Sequence, residues 1–120
     1  MHWTFVETLF FSRRRDSLFG NDEEYREFQE SLMKNPRQGA PLGGGSGVRK
    51  TRWLGTTRGK GKRGGLRVIY LHVPETHELY LLHVYPKGTQ DNLTKDEIRH
   101  FGALAKGIRV PAIARRRRER

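Results

Sequence analysis

Three short runs of strand-forming residues follow one another in the chain, and this succession constrains the fold more than any other feature. The runs cover residues 48–54, 66–73 and 78–85, and they are rich in β-branched or aromatic side chains. Only the four residues from Pro74 to His77 separate the last two runs, which is the length of a hairpin connection. Strands joined by a hairpin are antiparallel, so we expect a largely antiparallel sheet built from this meander.

The residues before the meander predict a short strand followed by helices. Residues 3–8 combine aromatic and β-branched side chains, as a strand does, and residues 9–11 begin a helical turn. Asn21 is the expected N-cap of an amphipathic helix, because Glu24 follows three residues later and the helix stops before Pro36. The side chains at helical spacing within it are Tyr25, Phe28, Gln29, Leu32 and Met33.

A last helix follows the meander. Thr94 and Glu97 form a capping-box pattern, and the apolar face that begins there extends to Ile108. Helices that are separated from a strand meander give an α+β fold, here a small sheet with N-terminal helices and a C-terminal helix. We expect a single domain over residues 1–108, because 120 residues provide room for one core. Residues 109–120 are expected to be a disordered basic tail.

The balance of charge indicates the kind of partner. Lysine and arginine number 24 against 13 aspartate and glutamate residues, which gives a formal net charge of +11. A surplus of this size in a small domain favours RNA, DNA or an acidic protein as the partner, because each basic group placed on a phosphate releases condensed counterions.

Several classes of protein are disfavoured by what the sequence lacks. There is no cysteine, so disulfides, thiolate catalysis and cysteine-based zinc sites are excluded. No apolar run reaches the roughly 18 residues that a membrane span needs, and the first residues do not resemble a signal peptide. We therefore expect a cytoplasmic protein with no membrane partner.

The positive charge is concentrated in and around one glycine-rich loop. Between residues 48 and 73 there are eight basic residues and no acidic one. Residues 59–64 match the pattern G-x-G-x-x-G, but the loop joins two strands rather than a strand and a helix, so it is not a dinucleotide-binding fingerprint. A flexible hairpin loop of this composition can lay cations along a nucleic-acid backbone. The candidate RNA-binding residues here are Lys50, Arg52, Arg58, Lys60, Lys62 and Arg63.

Metal-dependent and histidine-dependent chemistry both find little support. Metal-assisted nucleases need clustered carboxylates, and no acidic residue lies between Ser31 and Pro74, so we expect no metal and no small-molecule cofactor. His72 and His83 lie on neighbouring predicted strands and could meet as a general acid and base. A strand histidine without a catalytic role is the commoner outcome.

A cationic site offers a coherent alternative for cleaving RNA. Attack by the 2′-hydroxyl of RNA on its own phosphate requires alignment, neutralisation of charge on the phosphoryl oxygens and movement of protons. Arg67 on the second strand of the meander is expected to converge with Tyr85 and Lys87 at the end of the third. Arginine can hold a phosphate bidentately, and a lysine among like charges has its pKa lowered towards that of a base. Tyr85 could stack on a base or move a proton.

Several segments together resemble a known family. In order and with matching spacing, the chain is similar to the HigB branch of the RelE/ParE toxin superfamily over about residues 4–105. The segments that carry this resemblance are D-E-E-Y-R-x-F-Q from Asp22, N-P at Asn35, G-V-R-K-T-R from Gly47, G-K-G-K-R-G-G-x-R-V-I-Y from Gly59 and L-L-x-V-Y-x-K from Leu81.

The resemblance implies a RelE-like α+β toxin of a toxin–antitoxin pair. Such a protein would cleave messenger RNA in the ribosomal A site and would be silenced by a helix-turn-helix antitoxin, here HigA-like. The resemblance places the chemistry on Arg67, Tyr85 and Lys87, with Lys50, Arg52 and the loop at residues 59–65 holding RNA.

In this scheme Arg67 stabilises the phosphorane, Lys87 or a loop lysine accepts the 2′-hydroxyl proton, and Tyr85 orients a base or assists protonation. The products are a 2′,3′-cyclic phosphate and a 5′-hydroxyl. RelE relatives carry a further C-terminal tyrosine that stacks on the substrate, and residues 90–93 contain none, so Tyr85 is its expected substitute.

Two other functions are compatible with the same sequence. A ParE-like relative would use this fold to inhibit DNA gyrase without cutting RNA, and its expression would cause a DNA-damage response. A non-catalytic RNA-binding module would show steep salt dependence of affinity and would leave RNA intact.

Overall fold

A computed structural model describes residues 2–43, 45–55, 65–88 and 93–119. Within these ranges the chain forms five strands, three α-helices and one 3-10 turn. In chain order the elements are β1 (Thr4–Glu7), α1 (Leu9–Phe19), α2 (Asp22–Lys34), β2 (Ala40–Pro41), β3 (Val48–Trp53), β4 (Leu66–Val73), the 3-10 turn (Pro74–Thr76), β5 (Glu78–Pro86) and α3 (Lys95–Arg118).

The strands form one mixed sheet in the order β1-β5-β4-β3-β2. The predicted meander is confirmed, because β3, β4 and β5 pair antiparallel with their neighbours. β1 instead pairs parallel to β5, and the two-residue β2 is an edge strand that the sequence pattern does not predict. β4 lies at the centre of the sheet, and its long apolar run is explained by helices that cover both faces of the sheet.

α1 and α2 cover one face of the sheet. Asn21 caps α2 as predicted, since its side chain accepts a hydrogen bond from the backbone N–H of Glu24. Three of the predicted helical positions are buried, namely Tyr25, Phe28 and Leu32, whereas Met33 is exposed. They pack with Phe11 and Phe19 of α1 into an aromatic core on this face, which fixes the helices against the sheet.

α3 covers part of the opposite face. The predicted capping box is present. The Thr94 hydroxyl accepts a hydrogen bond from the Glu97 N–H, and the Glu97 carboxylate accepts one from the Thr94 N–H. The helix continues to Arg118, which differs from the expectation of a disordered tail over residues 109–120. Arginine is a good helix former, Ala112 is buried against the sheet, and Arg115 pairs with Glu78 at 3.3 Å, so the last turns gain contacts.

The limits of the domain remain a prediction. None of the helices in the described ranges has a stretch long and apolar enough to cross a membrane.

Candidate nucleic-acid interface

Three residues from three neighbouring strands form a row across the sheet. Arg52 of β3 pairs in register with Arg67 of β4, and Arg67 pairs with Tyr85 of β5. Residues directly opposite each other in a sheet point to the same face, so the three side chains lie side by side. We call Arg52, Arg67 and Tyr85 the catalytic row, after the catalytic role that the sequence analysis predicts for Arg67 and Tyr85. The structure thus brings two of the three predicted catalytic residues together with a predicted RNA-binding residue.

A second row lies two residues further along the same face. It consists of Lys50 of β3, Ile69 of β4 and His83 of β5. Lys50, Arg52 and Arg67 line a shallow pocket of about 360 Å³ beside Gly39 and the edge strand β2. Three cations therefore converge on one open patch of the sheet, which suits an extended polyanion.

α3 leaves this patch uncovered because it packs on a different part of the face. Its buried residues Phe101, Ala105 and Ala112 form a core with apolar sheet residues such as Leu71 and Val73. A cavity of about 710 Å³ between α3 and the segment around Ser46 is larger, but none of the sequence-predicted site residues lines it. The arrangement of side chains, rather than cavity size, therefore identifies the candidate site.

Tyr85 is buried at the edge of α3. Its ring is 2% exposed and lies 5.5 Å from the ring of His83. Its hydroxyl is buried and has no hydrogen-bond partner in the part of the chain that the structure describes. Burial raises the pKa of the phenol, Arg67 opposes this shift and Glu97 adds to it. Tyr85 is therefore a neutral hydrogen-bond donor close to an arginine.

The burial of Tyr85 corrects one expectation. A ring with 2% of its surface exposed cannot offer a face to a nucleobase, so Tyr85 does not replace the stacking tyrosine that the chain lacks. The sequence could not show this burial, because it depends on Phe101 of α3 packing in the same core as the end of β5.

Lys87 lies outside the catalytic row. It follows the end of β5 and is exposed, and its backbone N–H donates to the carbonyl of Gly65 at 3.1 Å. That bond joins the end of β5 to the start of β4. The remaining predicted RNA-binding residues, Arg58, Lys60, Lys62 and Arg63, lie outside the described residues, as does the G-x-G-x-x-G segment.

The two histidines considered as an acid–base pair lie on opposite faces. His72 contacts Trp3, which packs on the core beneath α1 and α2, at a ring distance of 5.3 Å. His83 stacks on Phe101 of α3 at 5.8 Å. The two-histidine scheme is therefore wrong for this pair. No group of three or more histidine, aspartate or glutamate side chains within the described ranges is placed to hold a metal ion.

Sequence reasoning missed His83 as a neighbour of the catalytic row. Burial lowers its pKa, Arg14 lowers it further and Glu97 opposes the shift. The signal was available, because His83 and Tyr85 are two residues apart on one strand and therefore point to the same face. Glu97 was read only as a helix cap, although it also lies close enough to influence both side chains.

This α+β fold with cations gathered on an open sheet face defines a small basic domain whose charge suits a polyanionic ligand. Residues 10–113 match the family model described as the RelE toxin of the RelE/RelB toxin–antitoxin system. That match spans most of the 120 residues, and the chain belongs to this family of toxins. Membership implies an antitoxin partner, and the HigB subtype stays a prediction.

Proposed function

We propose that this chain is a HigB-type, ribosome-dependent endoribonuclease that cleaves messenger RNA without a metal and thereby arrests translation. RelE family toxins are generally endoribonucleases. The observation that carries the proposal is the catalytic row, in which Arg67 lies between Arg52 and the buried hydroxyl of Tyr85. A phosphodiester at this row meets two guanidinium groups, and the neutral Tyr85 hydroxyl is buried beside them.

The chemistry follows from these groups. The 2′-oxygen of the substrate forms a bond to phosphorus, the bond from phosphorus to the 5′-oxygen breaks, and a 2′,3′-cyclic phosphate and a 5′-hydroxyl result. Arg67 stabilises the charge on the phosphoryl oxygens. The Tyr85 hydroxyl is buried in the free protein, so it must become uncovered before it can donate a hydrogen bond to the same group. Lys87 or a loop lysine accepts the 2′-hydroxyl proton, and the leaving 5′-oxygen takes up a proton from water.

The raised pKa of Tyr85 favours donation of a hydrogen bond over loss of the proton. The phenol therefore serves best as an electrostatic donor that holds the phosphoryl group. Lys50 and Arg52 extend the positive surface along the RNA backbone, and binding through them falls as salt rises. We further propose a HigA-like helix-turn-helix antitoxin as the inhibitor.

The test compares Arg67→Ala with Arg26→Ala, because both changes remove one positive charge and Arg26 is exposed on α2, over the opposite face of the sheet. Messenger RNA from cells expressing each variant is analysed by primer extension. We expect Arg67→Ala to lower cleavage by about 100-fold or more, as loss of one transition-state donor does, and Arg26→Ala to leave it unchanged.

Several outcomes would contradict the proposal. Equal cleavage by the two variants would remove Arg67 from the chemistry. Growth arrest with intact messenger RNA and a DNA-damage response would instead indicate a gyrase inhibitor. Intact RNA after incubation with translating ribosomes, together with salt-dependent RNA binding, would indicate a module that only binds.

A further inference from the structure

A third cavity opens beside the catalytic row, between the start of α1 and the first turns of α3. Its volume is about 290 Å³. Four of its lining side chains are aromatic and two are carboxylates: Phe10, His83, His100, Phe101, Asp96 and Glu97. We call this cavity the base pocket.

The aromatic rings of the base pocket contact one another in sequence. His83 stacks on Phe101 with ring centroids 5.8 Å apart, and Phe10 meets His83 edge-on at 6.4 Å. The ring of His100 also contacts Phe101, with the two ring centroids 5.6 Å apart. Phe10 is 63% exposed, so one large ring stands at the rim with most of its surface in water. A flat apolar ligand would cover that ring and gain stacking contacts.

The base pocket lies close enough to the catalytic row that an RNA bound at the row is its expected ligand. His83 lies two residues before Tyr85 on β5, and the two rings are 5.5 Å apart. Arg14 of α1 donates to the carbonyl of Val84 at 3.4 Å, which places a further cation near this strand. A nucleotide whose phosphate lies at Arg67 can therefore direct a neighbouring base towards the pocket.

The carboxylate of Glu97 favours one kind of base edge. It is an acceptor when ionised, so it attracts N–H donors and disfavours carbonyl oxygens, whereas Asp96 is already paired with Arg99. Glu97 is held in place by the capping box through the backbone N–H of Thr94 at 2.8 Å, which fixes its direction. Guanine presents two adjacent donors, N1–H and N2–H₂, on its Watson–Crick edge, whereas uracil presents one N–H between two carbonyl oxygens.

We propose that the base pocket receives a guanine of the messenger RNA next to the cleaved phosphodiester and thereby sets the base preference of the toxin. The inference rests on the proposed function, since it assumes RNA at the catalytic row. It also supplies the stacking surface that Tyr85 cannot provide.

The experiment measures binding without cleavage. Short RNA oligonucleotides carrying 2′-O-methyl groups cannot undergo attack by the 2′-oxygen, so their affinity for the full chain is measured by fluorescence anisotropy at fixed salt. The oligonucleotides are identical except for one central position, which is guanine, adenine, cytosine, uracil or abasic. We expect guanine to bind tightest and uracil to bind almost as weakly as the abasic site.

Phe10→Ala is the test variant, and Leu9→Ala is its control. Leu9 is the neighbouring residue, is 72% exposed and does not line the pocket. Phe10→Ala should weaken binding of the guanine oligonucleotide by about 5- to 100-fold, the range for loss of one stacking partner, and leave the abasic oligonucleotide unaffected. Phe10→Trp should retain the preference, and Leu9→Ala should behave as the parent chain.

Equal affinity of the parent chain for all five oligonucleotides would overturn the proposal, as would an undiminished guanine preference in Phe10→Ala. This readout is independent of catalysis. A guanine preference in a chain that cleaves no RNA would refute the proposed nuclease and leave the base pocket standing, whereas cleavage without base preference would do the reverse.

Discussion

Replacing Gly39 by alanine should distort the candidate site and lower the stability of the fold, although Gly39 has no side chain that could take part in the reaction. Gly39 has φ of +82°, and a Cβ atom there would lie 2.2 Å from the backbone oxygen of Lys50. The oxygen belongs to β3 and cannot rotate away. Real Cβ atoms essentially never approach another atom closer than 3.0 Å. The chain before β2 must therefore move by at least 0.8 Å to lengthen this contact from 2.2 to 3.0 Å. Gly39 and Lys50 both line the shallow pocket beside Arg67, so the movement alters that pocket.

The expected loss in the free energy of unfolding has two contributions. An alanine at positive φ costs about 1–2 kcal/mol. The required shift also strains the bonds around Gln38 and Gly39, whose carbonyls accept from Arg49 at 3.2 and 3.0 Å, and Gln38 O also accepts from Tyr70 at 2.7 Å. Losing one or two of these hydrogen bonds at about 1 kcal/mol each brings the total loss of stability to about 2–4 kcal/mol.

Gly45→Ala is the matched control. Gly45 also has positive φ, +68°, but an added Cβ would have no other atom within 4 Å, so only the backbone strain of about 1–2 kcal/mol applies. Urea unfolding followed by tryptophan fluorescence gives both free energies, since Trp53 packs against Phe28 in the core. Equal losses of stability in the two variants would refute the reasoning, because the clash would then contribute nothing.

Three further predictions concern buried polar groups. Tyr85→Phe should raise the free energy of unfolding by about 1 kcal/mol while lowering RNA cleavage, because it removes a buried hydroxyl that has no partner among the described residues. Tyr70→Phe should lower that free energy by about 1–2 kcal/mol, because the Tyr70 hydroxyl donates a hydrogen bond to the Gln38 carbonyl. Urea unfolding of both variants measures the two changes. A loss of stability in both variants would contradict the prediction that the Tyr85 hydroxyl is unpaired. Burial lowers the pKa of His72 and of His83 below the ordinary 6.5, so the unfolded chain binds more protons and stability should fall as pH drops below about 6.5. The slope is at most about 1.4 kcal/mol per pH unit for each histidine, and urea unfolding across that range that shows no such slope would exclude the mechanism.

Most of the fold could be predicted because its signals are local. The cap at Asn21, the capping box at Thr94 and the alternation along the strands each lie within a few residues, and each is confirmed. The parallel pairing of β1 with β5 could not be predicted, because it joins residues 4–7 to residues 78–81 without a local pattern. The length of α3 was missed because its last turns have the composition of a solvated tail, while the contact of Arg115 with Glu78 is distant in sequence.

The candidate site could also be predicted only where its signals are local. Alternation within a strand places His83 and Tyr85 on one face, but only the register between strands sets Arg52 opposite Arg67. The base pocket needs the start of α1 and the start of α3 to meet, and no pattern in the sequence relates Phe10 to His100. Residue types could therefore be chosen from the sequence, whereas their neighbours required the packing of the helices.

Two polar clusters on opposite faces of the sheet differ in how their groups are paired, and this difference bears on function. Beneath α1 and α2, the Glu7 carboxylate accepts hydrogen bonds from Ser12, Arg15 and Tyr25 at 2.6, 2.9 and 2.6 Å. On the other face, cations gather side by side in the pocket next to Tyr85, whose buried hydroxyl has no partner among the described residues. Like charges repel and an unpaired buried hydroxyl lowers stability, so local rules of consistency fail here, as they do at functional sites. A phosphodiester would bring negative charge to the cations, so the repulsion that lowers the stability of the free protein would be reduced when RNA binds.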